Sequence, residues 1–122
     1  MIATAHPGLA ADDFAAILKS PQRARSAHFS LHWRPSAIAA ADASRFGMVV
    51  SKRLARTSVR RNLIKRQARA LFAEWAREAH DFRDVVLRLT RNPAALARAP
   101  QYAELQILFA ALGAYRYAVP QR

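Results

Sequence analysis

The segment from Ser51 to Arg69 concentrates positive charge around one asparagine, Asn62. No Asp or Glu occurs between Asp42 and Glu74, so no acidic residue within the segment neutralises its cations. Packing like charges together adds no stability to a folded domain, whereas a site that holds phosphate groups requires that arrangement. Arginine can grip a phosphate through two hydrogen bonds, and asparagine offers a neutral donor and acceptor for a 2′-hydroxyl or a base edge. The segment therefore predicts a site for a sugar–phosphate chain.

The helix predicted to carry these cations begins among them. Apolar residues at 3.6-residue spacing predict a helix over about residues 59–79, with Ser58 as the best N-cap and Thr57 behind it. Arg60 and Arg61 then lie in the first turn, where the helix dipole opposes each positive charge by about 0.3–1 kcal/mol at low salt. A bound phosphate removes this cost, because it meets both the cations and the free backbone N–H groups. A helix face that is simply exposed to solvent usually carries charges of both signs. It therefore explains this run of positive charges poorly.

The composition restricts the class of partner. The chain has 122 residues, of which 52% are hydrophobic, and this suits one domain with a single core. A net charge of +12 indicates a polyanionic partner, with nucleic acid the first candidate and an anionic membrane surface the second. There is no cysteine, and the four histidines lack ligand spacing, so we expect no metal held by the protein. Because no apolar run reaches about 20 residues and residues 1–11 make a poor signal peptide, we expect a soluble cytoplasmic protein.

The hydrophobic pattern predicts one domain, residues 1–122, and leaves the order of residues 1–11 open. Besides the middle helix, it predicts helices over about 12–20 and 99–117 and strands over 25–34, 46–51 and 84–90. This order is typical of an α/β or α+β sandwich with one small sheet. One stripe of the middle helix is predicted to face the core: Ile64, Ala68, Leu71, Phe72, Trp75 and Ala79.

The first strand alternates in polarity, which predicts that it is half-buried. Phe29, Leu31 and Trp33 would face the core, and Ser30 and His32 would face the opposite side. No catalytic set can be assembled from the sequence, which has no Cys nucleophile, no Gly-rich phosphate loop and no carboxylate pair beside a His. Four acidic residues around the end of the middle helix are interpreted as solubilising charges that pair with Arg77 and Arg83: Glu74, Glu78, Asp81 and Asp84.

The order of the basic residues resembles the signature of the bacterial ribonuclease P protein component. The resemblance rests on Ser51-Lys52-Arg53, followed by Arg61-Asn62-Leu63-Ile64-Lys65-Arg66 and then Arg69. Further matches lie along nearly the whole chain, at Asp13-Phe14, Phe29-Ser30-Leu31-His32, Gly47 to Ser51 and Tyr102-Ala103-Glu104-Leu105. The chain departs from the family pattern at Leu63, where a second Arg is usual, at Leu18, where an aromatic residue is common, and at His32, where Tyr is common. The family's basic N-terminal arm is also missing.

The resemblance implies a fold and separate roles for the protein and its partner RNA. The fold is an α/β (α+β) sandwich of three helices and a small mixed sheet of about four strands, in the order α-β-β-β-α-β-α. Its β-α-β crossover is left-handed, against the general rule. The partner RNA is the catalyst and carries the Mg²⁺ ions, so the protein alone is expected to be inactive. The complex would remove the 5′ leader of precursor tRNA without a protein partner and away from membranes.

The predicted site has two parts. The leader would lie in a cleft between sheet and helix that is formed by Phe14, Leu18, Ser30 and His32, although Phe14 fits a core position equally well. The RNA subunit would contact nine residues of the basic segment: Lys52, Arg53, Arg56, Arg60, Arg61, Asn62, Lys65, Arg66 and Arg69. Two alternatives remain at this stage, a general RNA-binding or ribosome-associated protein without a role in cleavage, and a protein whose basic helix docks on an anionic membrane.

Overall fold

In the computed structural model, which describes residues 3–5, 9–38 and 41–117, five strands form one mixed sheet. The strands lie in the order β1-β4-β5-β3-β2; β4 and β5 are parallel, and the other neighbouring pairs are antiparallel. The elements are β1 (Ala3–Ala5), α1 (Ala11–Leu18), β2 (Arg23–Arg25), β3 (Phe29–Pro35), β4 (Arg45–Val49), α2 (Ser58–Glu78), β5 (Arg83–Leu89) and α3 (Arg98–Ala114).

From α1 onwards the elements follow the predicted order α-β-β-β-α-β-α, and helix α2 joins the parallel strands β4 and β5. Strand β1 is an addition, since residues 1–11 carry no strand pattern; residues 1, 2 and 6–8 lie outside the described residues. The predicted strand over 25–34 was wrong in its bounds. A turn divides that region into β2 and β3, and in this turn the backbone N–H of Ser26 donates to the carbonyl of Phe29 at 2.8 Å.

Helices α2 and α3 cover one face of the sheet and enclose the main core. The ring of Phe72 on α2 stacks on Phe46 of β4, with ring centres 4.6 Å apart. The predicted stripe of α2 is confirmed from Ile64 to Phe72, but Gln67 is also buried, because its side chain accepts a hydrogen bond from Gln101 of α3 at 2.9 Å. The N-cap is Thr57 rather than Ser58, and its hydroxyl accepts the backbone N–H of Arg60.

Helix α1 covers part of the opposite face and forms a second apolar cluster. This cluster contains Leu9, Phe14 and Ile17 on one side and Val49 and Val86 of the sheet on the other. Strand β3 is therefore buried on both faces, and the prediction of a half-buried strand was wrong. The alternation of polarity is real, but its polar members, Ser30 and His32, are each only 4% exposed.

A buried carboxylate joins the three central strands at one end of the sheet. Asp84 of β5 is fully buried and accepts two hydrogen bonds from Arg45 of β4, both at 2.8 Å, and one from Arg34 of β3 at 3.0 Å. Arg34 also contacts Asp13 of α1 at 3.1 Å. The interpretation of Asp84 as a solubilising charge was therefore wrong, whereas Asp81 pairs with Arg83 as predicted, at 2.7 Å.

We predict that Asp84→Asn lowers the free energy of unfolding by about 3–5 kcal/mol, because it leaves the buried guanidinium of Arg45 without its closest counter-charge. Burial by itself would raise the pKa of Asp84, but hydrogen bonds from Arg45, the N–H of Ala37 and Arg34 outweigh burial and hold this pKa below 3.8. The contribution of Asp84 is therefore complete above about pH 4 and is lost as the pH falls below that value. Urea unfolding at several pH values measures both effects.

The control is Asp42→Asn, which removes an exposed acid and should change the free energy of unfolding by less than about 0.5 kcal/mol. Equal stabilities of the two variants at pH 7 would show that the buried network contributes nothing.

Candidate nucleic-acid interface

A fixed turn presents the first two predicted contacts, Lys52 and Arg53, to solvent. Ser51 is buried, and its carbonyl oxygen accepts the N–H groups of Leu54 and Ala55 at 3.2 and 2.9 Å. Its hydroxyl accepts the N–H of Arg53 at 3.1 Å. These three hydrogen bonds fix the backbone of the turn. The side chains of Lys52 and Arg53 are exposed.

Helix α2 presents the other predicted contacts on the side that faces away from the core. Asn62, Arg66 and Arg69 are exposed and Lys65 is partly exposed, whereas Ile64 is fully buried. In the part of the chain that the structure describes, none of the nine predicted RNA contacts forms an ion pair with an acidic residue. Their positive charge is therefore available to a ligand.

Arg60 and Arg61 have structural roles that the sequence did not indicate. Nη1 of Arg60 donates to the carbonyl of Leu96 at 2.7 Å and to the side chain of Gln101 at 2.8 Å, which ties the first turn of α2 to the start of α3. Nη1 of Arg61 donates to the carbonyl of Ala55 at 2.7 Å. Carbonyl oxygens thus offset part of the unfavourable dipole at this helix end. Both side chains are partly exposed, and their contact with RNA stays a prediction.

A groove of about 570 Å³ opens on the face of the sheet that α1 only partly covers. Leu18, Ser30 and His32 of the predicted leader cleft line it together. Phe14 lies instead in the second apolar cluster, 9% exposed, with its ring where a side chain at Gly47 would be. Of the two interpretations that the sequence left open for Phe14, this position favours the core.

Four arginines line this groove, and none of them was among the predicted site residues. Arg25 of β2 and Arg88 of β5 lie directly opposite Ser30 on its two neighbouring strands, and Arg23 lies opposite His32. Residues directly opposite on neighbouring strands point to the same face. The fourth is Arg91, just after β5. The sequence signals for these arginines were the Arg-Ala-Arg alternation of β2 and the single charge within Val-Val-Leu-Arg-Leu of β5. Only the register of the strands places these residues side by side.

One wall of the groove is held in place by a partly buried carboxylate from α3. Glu104 accepts the backbone N–H of His28 at 2.8 Å and contacts Nδ1 of the same histidine at 2.9 Å. It also accepts the hydroxyl of Ser26. Burial would raise the pKa of Glu104, but these hydrogen bonds outweigh burial and lower it. The turn between β2 and β3 is thereby anchored to α3.

The groove and the basic helix form one continuous surface. Arg91 lines the groove, and the residues that follow it, Asn92 to Ala94, line a second crevice of about 240 Å³ together with Arg56 and Arg60. The two predicted parts of the site are therefore connected by four consecutive residues. A strand of nucleic acid could pass along this loop from the arginines of the groove to Arg56 and Arg60.

Two further properties of the described residues concern metals and membranes. Among them, no group of three or more His, Asp or Glu side chains is placed to hold a metal ion. None of their helices is long and apolar enough to cross a membrane.

Comparison with known proteins identifies similar chains. The family model named Ribonuclease P matches residues 9–113. The ribonuclease P protein component of Chromobacterium violaceum is 36% identical over 115 residues, which cover 92% of this chain and 89% of the relative. That of Azoarcus sp. is 35% identical over 101 residues, 83% and 81% of the two chains. The solved structure of the Staphylococcus aureus RNase P protein has the same fold, with a TM-score of 0.69 at 24% identity, covering 85% of this chain and 92% of that one.

His32 on the floor of the groove is uncharged at neutral pH. Its Nε2 contacts the hydroxyl of Ser30 at 2.8 Å, and its Nδ1 is buried without a partner among the described residues. Burial, reinforced by Arg23, Arg88 and Arg25, lowers the pKa of His32 from 6.5 to about 4. The positive charge of the groove therefore comes from its arginines.

We predict that His32 makes the protein less stable as the pH falls from about 6.5 to about 4. In this range the unfolded chain binds a proton at His32 and the folded protein does not, so stability is complete above about 6.5 and decreases by up to about 3 kcal/mol by pH 4. His32→Gln removes this titration and should flatten the stability profile over the same range. His80→Gln, at an exposed histidine, should keep the profile of the unmodified protein; identical profiles for all three would contradict the prediction.

Proposed function

Because this chain belongs to the ribonuclease P protein family, we propose that its basic helix binds the RNA subunit and that its arginine-lined groove holds the 5′ leader of precursor tRNA. The chain is a protein subunit of ribonuclease P and serves tRNA 5′ processing. The observation that supports the proposed arrangement is the continuous surface from the groove through Arg91 and Asn92 to Arg56.

The groove suits a single strand of RNA. Arg25 and Arg88 are separated by one intervening strand, so their backbones lie about 10 Å apart across the floor. Cations on both sides can contact successive phosphates, and between them Ser30 and the neutral His32 form an uncharged floor against which a base can lie. Phosphate contacts make the affinity depend on salt, and the neutral floor contributes a part that does not.

We propose that the protein assists cleavage and does not perform it. The carboxylate beside the groove is already engaged within the protein, Glu104 with Ser26 and His28. The groove therefore offers cations and neutral polar groups, which bind and position a strand. Mg²⁺, held mainly by the RNA, would supply the activation of water, and the arginines would reduce the repulsion between the phosphates of leader and RNA subunit. The complex would work in the cytoplasm.

The two alternatives are weaker than this proposal. A general RNA-binding protein would explain the charge, but the family match spans residues 9–113 and includes both parts of the site. A membrane-docking helix would need a free apolar face, and the apolar stripe of α2, with Ile64, Leu71 and Phe72, is buried against the sheet and α3.

Reconstitution tests the proposal. The purified chain is mixed with a bacterial ribonuclease P RNA and precursor tRNA at low Mg²⁺, and the release of the leader is followed on gels. We expect that the chain accelerates the cleavage and that the chain without RNA releases no leader. Tight RNA binding without acceleration would favour the general RNA-binding alternative. Cleavage that persists after rigorous removal of RNA would contradict the assisting role.

The salt dependence of binding tests the position of the interface. Arg66→Ala combined with Arg69→Ala should weaken binding to the RNA subunit and reduce the log–log slope of affinity against salt by roughly one to two units, at about 0.7–0.9 per lost phosphate contact. Arg77→Ala, an exposed arginine at the far end of the same helix, is the control and should leave the slope unchanged. A slope that responds to Arg77 and not to Arg66 and Arg69 would place the RNA elsewhere.

A further inference from the structure

An apolar side chain stands in the middle of the cationic surface. Val59, the second residue of α2, is 79% exposed, more than any other large apolar side chain in the described residues. Arg56 precedes it, and Asn62 and Leu63 lie one helical turn after it on the same side. Leu63 is itself partly exposed. Two neighbouring apolar side chains therefore reach solvent where the surrounding residues are cationic or polar.

The fold gives no reason for this arrangement. Val59 belongs to neither apolar cluster of the described residues. A β-branched residue is also less favourable in a helix than alanine, because its side chain loses freedom against the preceding turn. Val59 therefore contributes neither to the core nor to the stability of its helix. Contact with a binding partner would explain why an apolar residue is exposed here.

The charge around Val59 identifies the kind of partner. Val59 lies among exposed cations of the basic segment, with Arg56 three residues before it and Arg66 two helical turns after it, and an apolar protein partner would have to bury those charges without compensation. RNA satisfies both requirements, because its phosphates meet the cations while an unstacked base offers an apolar face. Leu63 supports this choice, since it is a second, partly exposed apolar residue with polar and cationic neighbours, Asn62 before it and Arg66 one helical turn after it.

We propose that Val59 and Leu63 form an apolar contact with the face of an unstacked base in the RNA subunit, among the cations of the basic helix. The proposal rests on the proposed function, because it names the part of that RNA which this helix meets. The contact contributes affinity that salt does not screen, whereas Arg66 and Arg69 contribute affinity that salt does.

The test is Val59→Ala, because folding and binding should change in opposite directions. Alanine favours the helix, so the midpoint of thermal unfolding should stay equal or rise. Affinity for a bacterial ribonuclease P RNA should fall by roughly tenfold, since each buried methyl group removed weakens a contact by about fourfold. The log–log slope against salt should not change. Val59→Thr, which keeps the shape and introduces a hydroxyl, should also bind more weakly.

The matched control is Ile107→Ala, which shortens the 68% exposed isoleucine of α3 outside the basic segment and should leave the affinity unchanged. Wild-type affinity for Val59→Ala would overturn the proposal, as would a loss of affinity that disappears at high salt. If Arg66→Ala with Arg69→Ala weakens binding and Val59→Ala does not, only this inference fails. If the unmodified chain binds no RNA, the proposed function fails with it.

Discussion

The parallel pairing of β4 with β5 determines where the positive charge of this protein lies. Two parallel neighbours cannot be joined by a tight turn, so a long crossover must return the chain to the starting edge, and here that crossover contains α2. The carboxyl ends of the two strands consequently lie at the same edge of the sheet. The turn after β4 carries Lys52 and Arg53, and the loop after β5 carries Arg91 and Asn92. The helix start and the groove are continuous because the sheet brings both strand ends together.

Three of the eight acidic residues are used within the fold, which leaves the surface more cationic. Asp84 is fully buried between Arg45 and Arg34, Asp13 contacts Arg34, and Glu104 anchors the turn beside the groove. Each of these carboxylates neutralises or orders a group that supports the sheet, and none of them is paired with the basic segment. Apart from Arg60 and Arg61, which also bond within the fold, stability and the proposed RNA binding therefore rely on separate sets of charges. A change at the other predicted RNA contacts can alter affinity with little effect on the sheet.

Local sequence patterns predicted the helices and strands. The features that were not predicted depend on contacts between residues distant in sequence. The hydrophobic period of α2 predicted the buried stripe around Ile64, but Gln67 within it can be buried because Gln101, 34 positions later, and the carbonyl of Arg98 satisfy its side chain. The alternation of β3 showed which residues share a face, but not that both faces would be covered. Asp84 could not be distinguished from an exposed acid, because its partner Arg45 lies 39 residues earlier. The groove arginines were missed for the same reason, since only the register of three strands places Arg25 and Arg88 beside Ser30.

Cations alone would not allow this protein to select its RNA, because phosphate contacts fix position and carry no sequence information. Selection has to come from the neutral groups that the cations surround. Both parts of the surface have this arrangement: Asn62 and Val59 lie among the cations of α2, and Ser30 and an uncharged His32 lie among the arginines of the groove. In the proposed arrangement, a neutral polar group such as Asn62 that loses its contact with the correct RNA would be left without a partner, and an incorrect RNA would therefore bind with a penalty that salt does not remove.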